Sequence, residues 1–210
     1  PYRAAADPAY WAWGGTEKSP DLDRVNPVFF QAFDQLLRQM QAPGMNAELL
    51  LFNYYRRPFT DPKLWTSSRE RLWLRTVIAR YASFENVFLW RLSNEYETHP
   101  DGKYRLDNPG DVEWAKRMGR LVKELDPYGH PYTVHPVVSS STRGVSPRDP
   151  FEAPWRIGEF FGEGDEVDVL TQQTSTAYAG SWDETLQAWV GDAAGVEASI
   201  AADRKYRKPV

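Results

Sequence analysis

Residues 87–97 read VFLWRLSNEYE, an apolar run interrupted by one arginine that stops at Asn94, Glu95, Tyr96 and Glu97. The run is too short for an independent helix and rich in bulky apolar side chains, which predicts a buried strand over "NVFLWRLS". Its end delivers a carboxylate. In parallel α/β sheets the chemistry gathers at strand C-termini, so the segments on either side decide what Glu95 can do.

Upstream, "SSRERLWLRTVIARYAS" has helical spacing, with Ser67 or Ser68 as the cap and Leu72, Leu74, Val77, Ile78 and Tyr81 on the buried side. Before it, "MNAELLLFNYY" has buried-strand length, and "NPVFFQAFDQLLRQMQ" is a helix capped by Asn26 with Pro27 in its first turn. Its apolar positions are Phe29, Phe30, Phe33, Leu36, Leu37 and Met40, and "APG" ends it. The opening before Asn26 is rich in Pro, Gly and Asp and carries no element in this reading.

Downstream, "NPGDVEWAKRMGRLVKELDPYGHP" repeats the pattern with Val112, Trp114, Ala115, Met118, Leu121, Val122 and Leu125 in the stripe, and "DPYG" closes the helix before the strand "PYTVHPVV". A polar stretch over 139–165 precedes the strand "EVDVLTQQ". "SWDETLQAWVGDAAGVEASIAADRKYR" reads as a helix, or two broken near Gly191 and Gly195, and "KPV" as the start of another strand. Strands alternating with helices over short links imply a parallel sheet, as a (β/α)8 barrel or an open doubly wound sheet. No Gly-rich phosphate loop follows any strand, which weakens the doubly wound reading. Four strands and the start of a fifth fall short of a barrel's eight, which take about 250 residues.

Composition narrows the function. The 210 residues are 41% hydrophobic and carry a net charge of −4 without a basic cluster, so a nucleic-acid or anionic-membrane partner is not expected. There is no cysteine, hence no disulfide, thiolate metal site or cysteine nucleophile. No stretch approaches the roughly 18 apolar residues of a membrane span, and no signal-peptide pattern opens the chain, so the chain reads as soluble, with compartment and oligomeric state left open. Aromatic residues make up 14% of the chain, with nine tryptophans. Trp73 and Trp114 read as core; "YWAWGG", Tyr54, Tyr55, Trp155 and Trp182 fall in loops, where flat rings suit the apolar faces of sugars.

The groups at the strand ends are Asn53, Tyr54 and Tyr55; Asn94 and Glu95; His135; and Gln172 and Gln173. The set lacks metal-ligand spacing and a G-x-S-x-G elbow, so no metal or other cofactor is expected. Carboxylate chemistry remains. Glu95 could protonate a glycosidic oxygen if a half-buried aromatic setting raised its pKa, and Asn94 could bind a sugar hydroxyl.

Here the residues resemble a family. "NVFLWRLSNEYE" looks like the fourth strand of clan A (β/α)8 glycoside hydrolases, which ends in an Asn-Glu pair whose glutamate is the general acid/base. "DRVNPVFFQAFDQLL", "AELLLFNYY", "RTVIARYASFENVFLWRLSNEYE", "DPYGHP" and "RKPV" together are similar to bacterial apiosidase-like glycoside hydrolases, over about Asp23 to Val210. The resemblance implies one partial TIM-barrel catalytic domain over 1–210, comprising about strands three to six and cut before the end of strand seven. It implies a retaining O-glycoside hydrolase acting on poly- or oligosaccharide, while whether the parent is secreted or periplasmic stays open. Glu95 is then the acid/base and Asn94 holds substrate. Asn53, Tyr54, His135 and Gln172 are further contacts, and the nucleophile falls just past Val210. The fragment alone is then expected to be inactive. A non-catalytic carbohydrate-binding module is the alternative. So is a hydrolase whose second carboxylate is Glu159, reading "PWRIGEFFGEG" (154–164) as a nucleophile strand.

Arg91 shares a strand face with Glu95 by alternation, and a buried arginine needs a partner; Glu48 on the preceding strand is the expected one, as a structural pair. His135 either orients Glu95, binds a sugar hydroxyl or is a core histidine. His130 reads as a turn residue and His99 as loop, and Glu97 is assigned no chemistry.

Overall fold

The computed structural model describes residues 10–53, 58, 59, 61, 63–96, 109–136, 157–172, 181–185, 188–190, 197 and 200–210. Tyr54, Tyr55, Glu97, His99, Trp155, Gln173, Gly191 and Gly195 lie outside them. The first elements are β1 (Trp13–Gly15) and β2 (Pro20–Val25), then α1 (Pro27–Gln41), β3 (Ala47–Phe52), α2 (Ser67–Tyr81), β4 (Val87–Ser93) and α3 (Pro109–Leu125). There follow β5 (Tyr132–Val134), the short α4 (Ile157–Phe161), β6 (Val169–Leu170), β7 (Ser181–Asp183), β8 (Ala188–Val190) and a 3-10 turn over Arg204–Tyr206.

Local chemistry sets the boundaries much as expected. Asn26 Oδ1 accepts from the Val28 N–H at 3.0 Å, Pro27 fills the first helical position, and Asn26 Nδ2 donates to the Trp11 carbonyl at 2.8 Å. The far end of α1 closes at Gly44, whose φ of +75° suits glycine, with Met45 N–H returning to the Met40 carbonyl. Of the expected stripe, Phe30 and Leu37 are buried while Leu36 is exposed. For α2 the capping position is Thr66, not Ser67 or Ser68; Thr66 makes no side-chain cap, and its hydroxyl instead bonds that of Ser68 at 3.0 Å. Leu72, expected inside, is exposed, whereas Trp73, Leu74, Val77, Ile78 and Tyr81 are buried.

β3, β4, β5 and β6 form one parallel sheet in chain order. One face carries the row Leu49, Trp90 and Tyr132, all buried beneath the helices. Trp90 Nε1 donates to Asp126 Oδ2 (2.8 Å) at the end of α3, and Tyr132 Oη donates to the Ala115 carbonyl (3.0 Å) within it. Each large side chain buried there contributes about 1.5–3 kcal/mol. The other face carries Glu48, Leu50, Arg91, Thr133 and Val169, and Leu50 there is 41% exposed. The helix cover is therefore one-sided, and the strand order runs straight through without the reversal of a doubly wound sheet.

Asp126, first residue of "DPYGH", gathers four donors: Trp90 Nε1, the Tyr128 and His130 backbone N–H groups, and His130 Nδ1. His130 is thus a turn residue, as read. Burial alone would raise the Asp126 carboxyl, but these hydrogen bonds outweigh it and hold the pKa below the ordinary aspartate value.

The two ends of the chain depart from expectation. The Pro/Gly/Asp-rich opening forms an antiparallel hairpin, β1 with β2. Trp13, expected on a loop facing ligand, is buried against Phe59, Trp65 and Trp73, with ring centroids 5.3, 6.0 and 4.8 Å away. A hairpin this small needs an apolar anchor, and the indole provides it. Within "SWDETLQAWV", read as helix, Ser181–Asp183 and Ala188–Val190 pair antiparallel, with Trp182 opposite Trp189; among the described residues that follow, helix is found at 197 and 200–203.

"KPV", expected to start a strand, is irregular but lies against the sheet. The Pro209 carbonyl accepts from the Leu170 N–H at 2.9 Å, which sets the last residues beside β6. Lys208 Nζ donates to the carbonyls of Phe161, Gly164 and Val167 at 2.9, 3.0 and 2.6 Å. Burial lowers the pKa of that ammonium.

Candidate active site

The parallel sheet brings Asn53, Asn94, Glu95, His135 and Gln172 to its C-terminal end, each just beyond a strand. All five are half-buried. Among the described residues that directly follow the four parallel strands, Glu95 is the carboxylic acid. Tyr54, the remaining predicted contact, lies outside the described residues.

Glu95 and His135 are brought into contact. The Glu95 backbone N–H donates to His135 Nδ1 at 3.1 Å, and the next amide, Tyr96 N–H, donates to the His135 carbonyl at 2.9 Å. Glu95 has a φ of +54°, a left-handed conformation that costs a side-chain-bearing residue about 1–2 kcal/mol. β4 stops at Ser93, so this turn, not strand alternation, sets where the Glu95 carboxylate starts. Tyr96 is fully buried, its ring edge-on to Phe161 at 5.5 Å, and anchors the turn from the far side.

A backbone N–H can only donate, so His135 Nδ1 carries no proton and the neutral ring holds its one proton on Nε2. Burial, with repulsion from Arg91 adding to it, pushes the His135 pKa down to about 4. The unfolded ring titrates near 6.5. Between those values the unfolded chain takes up a proton that the folded ring refuses, so folding stability should fall as pH drops from about 6.5 toward about 4. Urea unfolding across that range checks this, and His135→Asn should flatten the slope.

Beneath this end of the sheet, Arg91 Nη2 donates to Glu48 Oε2 at 2.9 Å while Arg91 Nε donates to Glu48 Oε1, the pair expected from the sequence. Thr133 Oγ1 and Thr171 Oγ1 lie 2.7 Å apart on the same face. The two side chains of the ion pair are 23% and 27% exposed, between the regimes of surface and buried pairs. Arg91→Leu should therefore cost about 1–3 kcal/mol in urea unfolding, and adding Glu48→Leu should recover part of it. A stable Arg91→Leu protein that has lost only sugar binding would contradict the structural role.

Gln172 is drawn elsewhere. Its Nε2 donates to Asp203 Oδ2 at 2.5 Å, tying the end of β6 to the helical residues 200–203. Asp203 is fully buried, and nothing in "IAADRKYR" marks it as the aspartate that would reach a strand end. Ser93, last residue of β4, has a fully buried hydroxyl without a partner among the described residues. Glu159 is not on a strand: Ile157–Phe161 is a short helix, and Glu159 is on its exposed side while Ile157, Gly158 and Phe161 face inward. That geometry removes the reading of "PWRIGEFFGEG" as a nucleophile strand.

Among the described residues no three His, Asp or Glu side chains converge as a metal site requires, and no helix is long and apolar enough to cross a membrane. No curated protein matches the chain. Among solved structures, that of a candidate glycoside hydrolase from Bacteroides vulgatus ATCC 8482 is similar, at 28% identity and a TM-score of 0.45. The match covers 61% of this chain and 24% of that one, so the chain spans about a quarter of that protein's length. The family model described as "Apiosidase-like, catalytic domain" matches residues 6–210, nearly the whole chain. With the Asn-Glu pair at the end of a parallel strand and the family model running through it, the chain belongs to the apiosidase-like catalytic-domain family, which is of glycoside-hydrolase type.

Proposed function

We propose that this chain forms part of the (β/α)8 catalytic domain of a retaining O-glycoside hydrolase that acts on oligo- or polysaccharide, with Glu95 as its general acid/base. The observation that carries the reading is the placement of Glu95. It follows a parallel strand at the sheet's C-terminal end, in a left-handed turn whose amides are clasped from the neighbouring strand. The strand order without reversal and the one-sided helix cover support a barrel over a doubly wound sheet.

In the first half-reaction the Glu95 carboxyl gives its proton to the glycosidic oxygen while a second carboxylate attacks the anomeric carbon. In the second, the Glu95 carboxylate takes a proton from water as that water attacks the anomeric carbon and breaks its bond to the second carboxylate, releasing the sugar. The second carboxylate must stand about 5–5.5 Å from the first, and it comes from a segment outside the described strand ends. In this reading Asn94 and Asn53 contact substrate hydroxyls, as does Tyr54, which lies outside the described residues.

The test uses the full-length gene product and a panel of 4-nitrophenyl glycosides of pentoses and hexoses, an apioside among them. Hydrolysis with retained anomeric configuration, followed by proton NMR, is the expected result. Inversion would overturn the mechanism. Sugar binding without turnover would favour a carbohydrate-binding module.

A further inference from the structure

The clasp between β4 and β5 assigns a role that the acid itself does not explain. We infer that His135 is a positioning residue for Glu95: its ring Nδ1 holds the Glu95 amide in the left-handed turn and so aims the carboxyl at the glycosidic oxygen. The inference rests on Glu95 acting as the acid.

Three observations carry it. First, a left-handed glutamate is unfavourable unless its surroundings hold it there, and such strain persists where neighbouring contacts over-determine it. Second, His135 supplies two of those contacts, its carbonyl to Tyr96 N–H and its ring nitrogen to Glu95 N–H. The carbonyl bond is one that any residue at 135 could make. The ring bond needs a side-chain acceptor at the place of Nδ1, so it alone depends on which residue stands at 135. Third, the acceptor survives only while the ring is neutral. Burial first, and then repulsion from Arg91, which is itself held in place by Glu48, keep a second proton off the ring. The polar layer beneath the site thus keeps the clasp in its working form.

Positioning matters because proton transfer requires hydrogen-bond reach, and a displacement of about 1 Å can cost as much as about 10²-fold in rate. Releasing the amide would let the turn relax toward the ordinary right-handed or extended regions, and the carboxyl would swing with it. Neither the substrate contacts of Asn94 nor the second carboxylate would change.

The experiment compares His135→Ala, His135→Asn and His135→Gln in the full-length gene product. The substrates are the 4-nitrophenyl and 2,4-dinitrophenyl glycosides of whichever sugar the panel above identifies. Asparagine can place its amide oxygen near the position of Nδ1, while glutamine reaches toward that of Nε2. His135→Ala and His135→Gln should lower kcat/KM on the 4-nitrophenyl glycoside, which reports the acid-assisted first step, about 10- to 100-fold. On the 2,4-dinitrophenyl glycoside, whose leaving group needs little protonation, the first release of phenol should keep its normal rate, with kcat/KM unchanged, while the water-dependent second step slows. His135→Asn should recover most of the loss. Equal losses of kcat/KM on both substrates, or no loss on either, would overturn the positioning role, as would asparagine performing no better than glutamine. The reading beneath it fails separately: a wild-type protein that cleaves nothing in the panel, or a Glu95→Gln variant that keeps full rate, removes Glu95 as the acid and the inference with it.

Discussion

Glu95→Gln should lower kcat on a 4-nitrophenyl glycoside by about 10²–10⁴-fold, the range a positioned general acid supplies. Glutamine keeps the shape and hydrogen-bonding reach of the side chain but has no proton to give at the required acidity. The loss should shrink on a 2,4-dinitrophenyl glycoside, whose departure needs little help, and the glycosyl-enzyme should then accumulate because no base activates the incoming water. A burst of phenol followed by a slow steady state is the trace to look for. Added azide, which needs no base, should speed turnover and yield a glycosyl azide. Uniform loss on both substrates without azide rescue would move Glu95 out of the acid/base role. Glu95→Gly separates chemistry from folding: it removes the carboxyl and the rate, yet relieves about 1–2 kcal/mol of left-handed strain, offset in part by the looser unfolded chain that glycine allows.

The second large effect is on stability. Asp126→Ala strips the acceptor from the Trp90 indole, two backbone N–H groups and the His130 ring, all at the junction of α3 and β5. Leaving buried donors unsatisfied costs about 1–3 kcal/mol each before relaxation. Water can reach the turn on its exposed side, so a net loss of about 2–4 kcal/mol is expected. At about 2–4 °C per kcal/mol for a domain of this size, the melting point should fall by roughly 4–16 °C. Asp126→Asn should lose less, because one acceptor oxygen survives. The pH dependence follows from the lowered carboxyl pKa. Its stabilisation is fully present above the unfolded aspartate value of 3.8 and is lost as pH falls through the lower folded value. Urea melts of wild type and Asp126→Asn should therefore separate at pH 7 and converge in strong acid. A constant gap across that range would mean that the carboxylate's charge plays no part.

The sequence made legible what depends on periodicity and on caps. Asn26, Pro27 and the "APG" stop defined α1 because each acts on the adjoining backbone. The Arg91–Glu48 pair was readable because alternation put both on one face and a long apolar strand cannot leave a guanidinium unpaired. The two antiparallel pairs escaped for opposite reasons. Around Trp13, glycines, proline and aspartates resemble a loop until a tertiary anchor for the indole exists. In "SWDETLQAWV" the apolar residues fit helical spacing as well as two short strands, and three-residue strands leave too little period to choose between them. The same ambiguity made a five-residue helix at Ile157–Phe161 look like a strand.

At the site, the position of Glu95 could be read, since a strand end is a matter of chain direction. Its left-handed backbone could not: no glycine marks the turn, and the partner that holds it, His135, is 40 residues away. Gln172 illustrates a different limit. A glutamine after a strand looks available to a sugar, and only the folded chain reveals that Asp203 takes its amide.

Lys208 carries a practical consequence for handling the protein. Its three donors are spent on the Phe161, Gly164 and Val167 carbonyls. Acylation would leave one N–H and no charge to serve all three, and reductive dimethylation would keep the charge but likewise leave one N–H. Amine-directed tagging, surface immobilisation or lysine methylation for crystal growth would therefore loosen the chain's final residues from β6, a side effect that thiol-directed tagging at an engineered cysteine avoids in a chain with no cysteine of its own.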